Sequence, residues 1–458
     1  MSEQEIAGQV VELVGRLAGA GAQAEVTVTR SDAALTRFAN SFIHQNVAES
    51  TVSIRLRLHA DGRTATGSGS LASPDGLREL VERTLVAARL GPPDPGWPGL
   101  APPAPAPAAP TPDEATAHAE PDERAARVRA FVDAAGGLET AGYCRTSHHA
   151  AAFANTAGHT AWGRMAEAAM DGIARTGGVD GMARLAADRL GDLDGALLGA
   201  RAAAKARSGV DPVELPPGRY EVVFEPAAVA DLLSNLAMYG FNGKAYAERK
   251  SFAEPGAAQF DRTVSLVDDP LAASGLPVDT EGTARRALPL VTAGRTDAVV
   301  HDRRTAAATG AASTGHGSLE SPTFGPFPHT VRLLPAQGPA PTGTVSGPVV
   351  DPDTAALVAG VGRGLLVSDL WYTRVLDPKA LTVTGLTRNG VWLIEDGVVT
   401  RAVRDLRFTQ AYPRALAPGA VLGTGRVALR QPDRTAGAWW STPPLRLAEW
   451  NFTGGASG

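Results

Sequence analysis

Cysteine is nearly absent from this chain of 458 residues, with Cys144 the only one. A disulfide framework within one chain is impossible, and a cysteine-rich zinc module is excluded. Lysine is scarce as well: Lys205, Lys244, Lys250 and Lys379 are the full set, and every other basic residue is arginine. With abundant alanine, glycine and proline, this bias reads as a GC-rich genome rather than a function. Positive charge is not in excess. A net charge of −5 and a pI near 6.0 leave no basic footprint for nucleic acid. No apolar run approaches the roughly 18 residues a membrane helix needs. The start, "MSEQEIAGQV", lacks a signal peptide's basic and apolar regions. A cytoplasmic protein is expected, with neither nucleic-acid nor membrane partners. Familiar catalytic signatures are missing too. None of the nine histidines precedes a glutamate, so HExxH is absent. No Walker A motif and no GxSxG elbow occur.

What is present is ordinary globular material, 44% apolar and 20% charged, with room for two or three domains. Residues 3–19 carry apolar side chains at a helical period. Alternating runs at 24–30, 34–40 and 50–60 predict three successive strands of an antiparallel meander. Residues 74–90 predict an amphipathic helix with proline in its first turn. Residues 91–113, "GPPDPGWPGLAPPAPAPAAPTPD", predict an extended, polyproline-like surface loop within the first domain. Further helices are expected at 121–136 and 193–208. A Pro- and Gly-rich break then leads into a strand at Tyr220–Phe224. The fold class read from this is α+β with two domains. An N-terminal antiparallel sheet with helices spans 1–208, and a β-rich C-terminal domain spans 209–458. Hairpins are expected around Ala293-Gly294 and at Glu395-Asp396-Gly397, where Asp-Gly suits a tight turn.

Candidate chemistry is sparse. Within "GYCRTSHHA" a strand's alternation places Cys144 and His148 on one face, so a Cys/His dyad is one reading and a coincidence of two residues the other. "GVGRG" (360–364) is an incomplete dinucleotide motif. Glu281, Asp268 and Asp269 sit in turn-like contexts and read as cap or turn formers. "STGHG" (313–317) is a Gly-rich loop carrying His316, free either to approach a peptide or to be a plain surface turn. The residues alone reach a two-domain α+β protein with no self-evident catalytic site.

Several segments together resemble one family. "TRFANSFIHQNVAEST" (36–51), "PPGRYEVVFEPAAVADLL", "GFNGKAYAERKSF", "VDTEGTARRALPLVTAGRTDAVVHDRRTAAATGAASTGHG" and "TGLTRNGVWLIEDGVVTRAVRDLRFTQ" are similar, in this order, to the TldD/PmbA (TldD/TldE) metallopeptidases. The resemblance runs from about residue 5 to about residue 435. It implies a heterodimer of a zinc-bearing TldD-type subunit and a zinc-less TldE/PmbA-type subunit that acts on unfolded peptides or peptide precursors. "STGHG" is similar to the TldE side. The zinc subunit's motif is HExxxH on the helix corresponding to "LLSNLAMYGFNG" (232–243), with a cysteine near the C-terminus as third ligand. Histidines five apart stand about 140° apart on an ideal α-helix, so that helix must distort, for instance through a π-like bulge.

Here the ligand, base and ligand positions hold Ser234, Asn235 and Tyr239, and no cysteine follows Cys144. Serine is a poor zinc ligand, asparagine is no base near neutral pH, and a neutral phenol titrates near 10. The resemblance therefore implies no metal and no cofactor in this chain, with zinc in a TldD-type partner. Motif position makes Phe241, Asn242, Arg249, Lys250, Ser251 and His316 candidates for the peptide path. An extended peptide would add a strand to an exposed sheet edge of the second domain. Two other readings stay open: an independent hydrolase using Cys144 and His148, and a homodimeric binding protein that has lost proteolysis.

Overall fold

Ser2 and Glu5 open the first helix reciprocally: the Ser2 hydroxyl accepts the Glu5 N–H, and the Glu5 carboxylate accepts the Ser2 N–H. Two of the unpaired donors at a helix start are thereby satisfied. The helix α1 (Glu3–Ala18) buries Ile6, Val10, Leu13 and Val14, the period read from the sequence. The computed structural model describes residues 1–19, 21–271, 275–340, 351–432 and 438–455.

The first half is a six-stranded antiparallel sheet of β1 (Gln23–Ala39), β2 (Phe42–Ala60), β3 (Arg63–Gly69), β4 (Glu139–Asn155), β5 (Thr160–Thr176) and β6 (Val179–Ala187). Its order is β3-β2-β1-β4-β5-β6. The two runs at 24–30 and 34–40 are one strand rather than two. The polar link "SDA" keeps its ladder on both sides, Ser31 opposite Thr51 and His149, Ala33 opposite Glu49 and Ser147. Paired neighbours on both sides override the weak strand propensity of serine and aspartate.

Helices α2 (Pro74–Leu90), α3 (Glu114–Ala117) and α4 (Pro121–Ala134) lie between β3 and β4, and α5 (Gly195–Ser208) follows β6. Alternation along β1 decides what each face meets. Val26 and Val28 join the core under α1 and α2, while Thr27, Thr29 and Leu35 face the second half.

Strands β7 (Gly218–Phe224), β8 (Leu266–Asp268), β9 (Leu288–Thr292), β10 (Arg295–Thr296) and β11 (Thr330–Leu333) begin the second half. They are followed by β12 (Arg363–Asp377), β13 (Thr382–Glu395), β14 (Val398–Val403), β15 (Leu406–Ala411), β16 (Val421–Thr424), β17 (Leu429–Gln431), β18 (Trp439–Thr442) and β19 (Leu445–Gly455). One sheet runs β10-β9-β8-β11-β18-β17. The other runs β12-β7-β19-β15-β13-β14 and curls on itself, because β12 also pairs with β13.

Both expected hairpin turns form. Ala293 and Gly294 have φ of 45° and 83°, and Asp396 and Gly397 have 49° and 78°. Two consecutive positive φ values are the signature of the turn that matches strand twist. The core centres on Trp450, whose ring meets Phe224 at 4.8 Å, Phe408 at 5.3 Å and Tyr412 at 5.4 Å.

Buried ion pairs join the halves. Lys205 of α5 meets Glu225 at 2.5 Å, Arg184 of β6 meets Asp369 of β12 at 2.5 Å, and Arg57 of β2 meets Glu281 at 2.9 Å. The proline-rich segment is more than a local excursion. It has no helix or strand from Trp97 to Asp113, yet it straps the second half. Asp94 pairs with Arg304 at 2.8 Å, and the Pro98 and Leu100 carbonyls each accept from Arg303 at 3.2 Å. Trp97 lies flat on His59. A chain with few backbone donors offers its carbonyls and stiff φ angles to such a strap.

Candidate functional site

Helix α6 (Pro226–Asn235) follows β7 directly, with Pro226 in its first turn, where a missing N–H costs nothing. It buries Leu232, Leu233 and Leu236 in the second core. Beyond Asn235 the helix widens into a π turn over Leu236–Gly240, closed by a bond from Phe241 N–H to the Leu236 carbonyl at 2.9 Å. An extra residue in the turn brings positions five apart toward one side. Ser234, Asn235, Met238 and Tyr239 all line one cavity of about 440 Å³, facing Trp371, Tyr372 and Arg374 of β12. The backbone distortion that a pair of ligands at this spacing requires is present in a chain that lacks them.

Asp231 organises this cavity. Its carboxylate accepts from the Tyr412 hydroxyl at 2.9 Å, from the Thr373 hydroxyl at 2.9 Å and from the Asn235 amide at 3.3 Å. Burial, then the Asp231 charge, pushes the Tyr412 phenol well above its ordinary range, so it stays a donor. Arg374 stacks on Tyr372 at 4.2 Å and Arg388 on Trp371 at 4.8 Å. The wall opposite the π turn is therefore aromatic and cationic.

These residues do not fit zinc. Asn235 is committed as a donor to Asp231, Ser234 offers one hydroxyl, and Tyr239, 36% exposed, offers a phenol oxygen. Among the described residues no group of three His, Cys, Asp or Glu side chains could hold a metal.

The six peptide-path candidates separate. Phe241 is fully buried against Phe252 and Phe260. Asn242 is buried as the cap of α7 (Gly243–Ala247), donating to the Met238 and Phe324 carbonyls and accepting from the Lys244 and Ala245 N–H groups. The buried Ser251 hydroxyl donates to the Gly240 carbonyl and accepts from Ala253 N–H. His316 is buried, with Nε2 on Asp268 at 2.8 Å. Only Arg249 and Lys250 are exposed, Arg249 at a φ of 60° and Lys250 paired with Glu248. Their neighbourhood to α6 in sequence does not make the six one surface.

Three other sequence readings change. Cys144 and His148 share a face of β4, but four residues of strand separate them by about 13 Å. Cys144 is buried among Phe38, Phe131 and Met170, and burial pushes its thiol up to about 12. It is a core side chain, not a nucleophile. Asp268 lies in β8, fully buried, rather than in an exposed turn. Burial opposes its charge, but the His316 bond and the Thr330 N–H outweigh it and hold its carboxyl below the usual range. Glu281 does sit in a turn, but buried, accepting from Arg57 and from Arg303 N–H. Asp231 and Trp371–Arg374 were missed by sequence reading. Asp231 carried a faint signal, four residues before Asn235 on one helix face.

Residues 217–454, the β-rich half that carries the π turn, match the PmbA/TldA metallopeptidase C-terminal domain. The chain belongs to the PmbA/TldD metallopeptidase family. Its fold is similar to that of TldE from Thermococcus kodakarensis, at 20% identity and a TM-score of 0.83, over 98% of this chain and 100% of that one. It is also similar to a protein from Thermotoga maritima described as a candidate modulator of a DNA gyrase, at 16% identity and a TM-score of 0.81, over 98% of this chain and 99% of that one. A Bacteroides thetaiotaomicron protein with a like description is 17% identical, with a TM-score of 0.78, over 98% of each chain. At these identities the likeness concerns the fold. No curated protein matches the sequence. Among the described residues no helix is long and apolar enough to cross a membrane.

Proposed function

We propose that this chain is the non-catalytic, TldE/PmbA-type subunit of a heterodimeric peptidase. A TldD-type partner supplies zinc and the chemistry, and this chain helps enclose and align an unfolded peptide. The observation that carries the reading is the π turn. Ser234, Asn235 and Tyr239 line one cavity, and the three hold none of the imidazole, thiolate or carboxylate groups that usually bind zinc or take a proton from its water. The same proposal includes a cytoplasmic setting and no tightly bound metal in this chain.

The peptide path favoured here runs beside β12. Strand β7 pairs with β12 only over Gly364–Val367. Tyr372, Thr373 and Arg374, farther along, line the cavity. An extended peptide laid against that stretch would use backbone hydrogen bonds, which suits substrates of varied sequence. Arg249 and Lys250 remain exposed cations that can meet such a peptide.

The test is co-purification with a TldD-type zinc subunit and assay of an unfolded peptide. Hydrolysis should require both chains, and zinc should travel with the partner. Hydrolysis by this chain alone, with one zinc per chain, would falsify the proposal. Self-association without binding of the zinc subunit would count against it too.

A further inference from the structure

A second cavity, of about 950 Å³, lies between the exposed face of the first sheet and loops of the second half. Leu35, Ala151 and Met165 come from the sheet side, and Leu319 and Trp439 from the other, so most of its wall is apolar. Its two histidines carry little charge near neutral pH. Burial, then the neighbouring His148 and Arg145, lowers His149. Burial, then the Arg285 charge, brings His329 down to about 4.

Arg285 also lines this cavity. Its Nε donates to the Val278 carbonyl at 2.9 Å, which orients the guanidinium. Among the described residues no carboxylate lies within ion-pair distance of it. The two carboxylates whose fields reach it, Asp279 and Asp268, are already committed. Asp279 accepts the N–H groups of Glu281, Thr283 and Gly317 at 2.9, 2.8 and 2.7 Å. Asp268 accepts from His316 Nε2 at 2.8 Å and from Thr330 N–H at 2.7 Å. Desolvation holds the guanidinium below its ordinary value.

The "STGHG" loop fixes this arrangement. Gly315 has a φ of 77°, and a Cβ there would come within 2.6 Å of the Ala284 carbonyl and 3.3 Å of the Arg285 Cα. The other charges lining the cavity are Arg145 and Glu167, which pair with each other at 2.7 Å, and the exposed Arg37, Glu49 and Glu320. Arg285 is half-buried, its Nη groups open on the cavity with no partner among the described residues, so an anion entering the apolar-walled space can complete them.

We propose that the cavity between the halves binds the carboxylate of an apolar ligand, and that Arg285 receives it through a forked pair of hydrogen bonds. The choice of a peptide C-terminus as the source of that carboxylate rests on the peptide-handling function proposed above; the carboxylate site itself does not. It is separate from the cavity at the π turn, and it would hold a free chain end, as left by a peptide-bond cleavage.

The test is binding by the isolated full chain, so neither a zinc partner nor hydrolysis enters. Calorimetry would compare the N-acetylated tripeptide Leu-Ala-Phe as its free acid, the same peptide as its C-terminal amide, and octanoate. The acid should bind at least about tenfold tighter than the amide, the scale of a charge-assisted bond. Arg285→Gln, which can keep the bond to Val278, should bring that ratio close to one. Ala34→Trp, which fills the cavity and leaves Arg285 in place, should abolish binding of the acid and serves if Arg285→Gln does not fold. Equal binding of acid and amide, or no binding of either at millimolar concentration, overturns the site. Octanoate binding tighter than the peptide acid, with the same dependence on Arg285, overturns the peptide assignment alone.

Discussion

Two cavities of this chain are opposites. At the π turn the backbone turns outward side chains toward one space, which Ser234 and Tyr239, five apart, both line. Between the halves, an unpaired Arg285 sits in an apolar wall, with no sequence motif to announce it. Backbone geometry and donor chemistry are thus separable. A helix keeps its π turn because core packing of Leu232, Leu233 and Leu236 holds it, whatever its outward residues can ligate.

The largest expected effect falls on the ion pairs that join the halves. Arg57 binds Glu25 at 2.7 Å and Glu281 at 2.9 Å. Arg57→Ala leaves two buried carboxylates without their cation and should cost about 3–5 kcal/mol in urea unfolding. Next comes the π-turn cavity. Asp231→Ala strands the buried Tyr412 hydroxyl and removes the acceptor of the Thr373 hydroxyl, and should cost about 2–3 kcal/mol while leaving carboxylate binding at Arg285 unchanged. An effect of Asp231→Ala on that binding would show that the two cavities are coupled. Gly315→Ala should cost about 1–2 kcal/mol in thermal unfolding, through its positive φ and its approach to Ala284, and should weaken carboxylate binding.

Restoring donors sharpens the comparison further. The triple variant Ser234→His, Asn235→Glu, Tyr239→His supplies two imidazoles and no third ligand. It should bind zinc about tenfold tighter than the parent, yet well short of a complete site. No gain in a competition assay would mean that the turn does not aim both positions at one point.

The smallest effect is a slope. Burial, then the pull of Arg57 against it, leaves Glu25 pushed up to about 7, and burial with the Glu281 charge leaves Asp279 at about 6. Between about pH 4.5 and 7 the folded chain therefore holds more protons than the unfolded one. These groups make stability fall as pH rises through that window. Glu25→Gln should flatten the fall in a pH series of melts.

Local features were legible where local physics decides them. The Ser2/Glu5 capping box, Pro74 at a helix start and the Asp396-Gly397 turn follow from hydrogen-bond and steric rules within a few residues. The three-strand reading of 24–60 failed because ladder partners 100 residues away in β4 carry the polar link. Cys144 and His148 showed that sharing a strand face is not contact. His316 and Ser251 looked like loop polar groups, but each is buried on a specific partner, Asp268 and the Gly240 carbonyl. Arg285 had no signal at all, being the first of two adjacent arginines.

By itself, the sequence determined the two-part α+β plan, the helix ends and tight turns, and which residue types, Ser234, Asn235 and Tyr239, stand on the site helix. Each depends on residue type and short-range spacing. Tertiary structure alone decided the fusion of the first strands, the strap made of the proline-rich segment, the π turn's shared cavity and the placing of Arg285 on an apolar cavity without a carboxylate partner among the described residues. Those depend on which distant groups meet out of water, where an unpaired charge or a closed ladder weighs far more than any local preference.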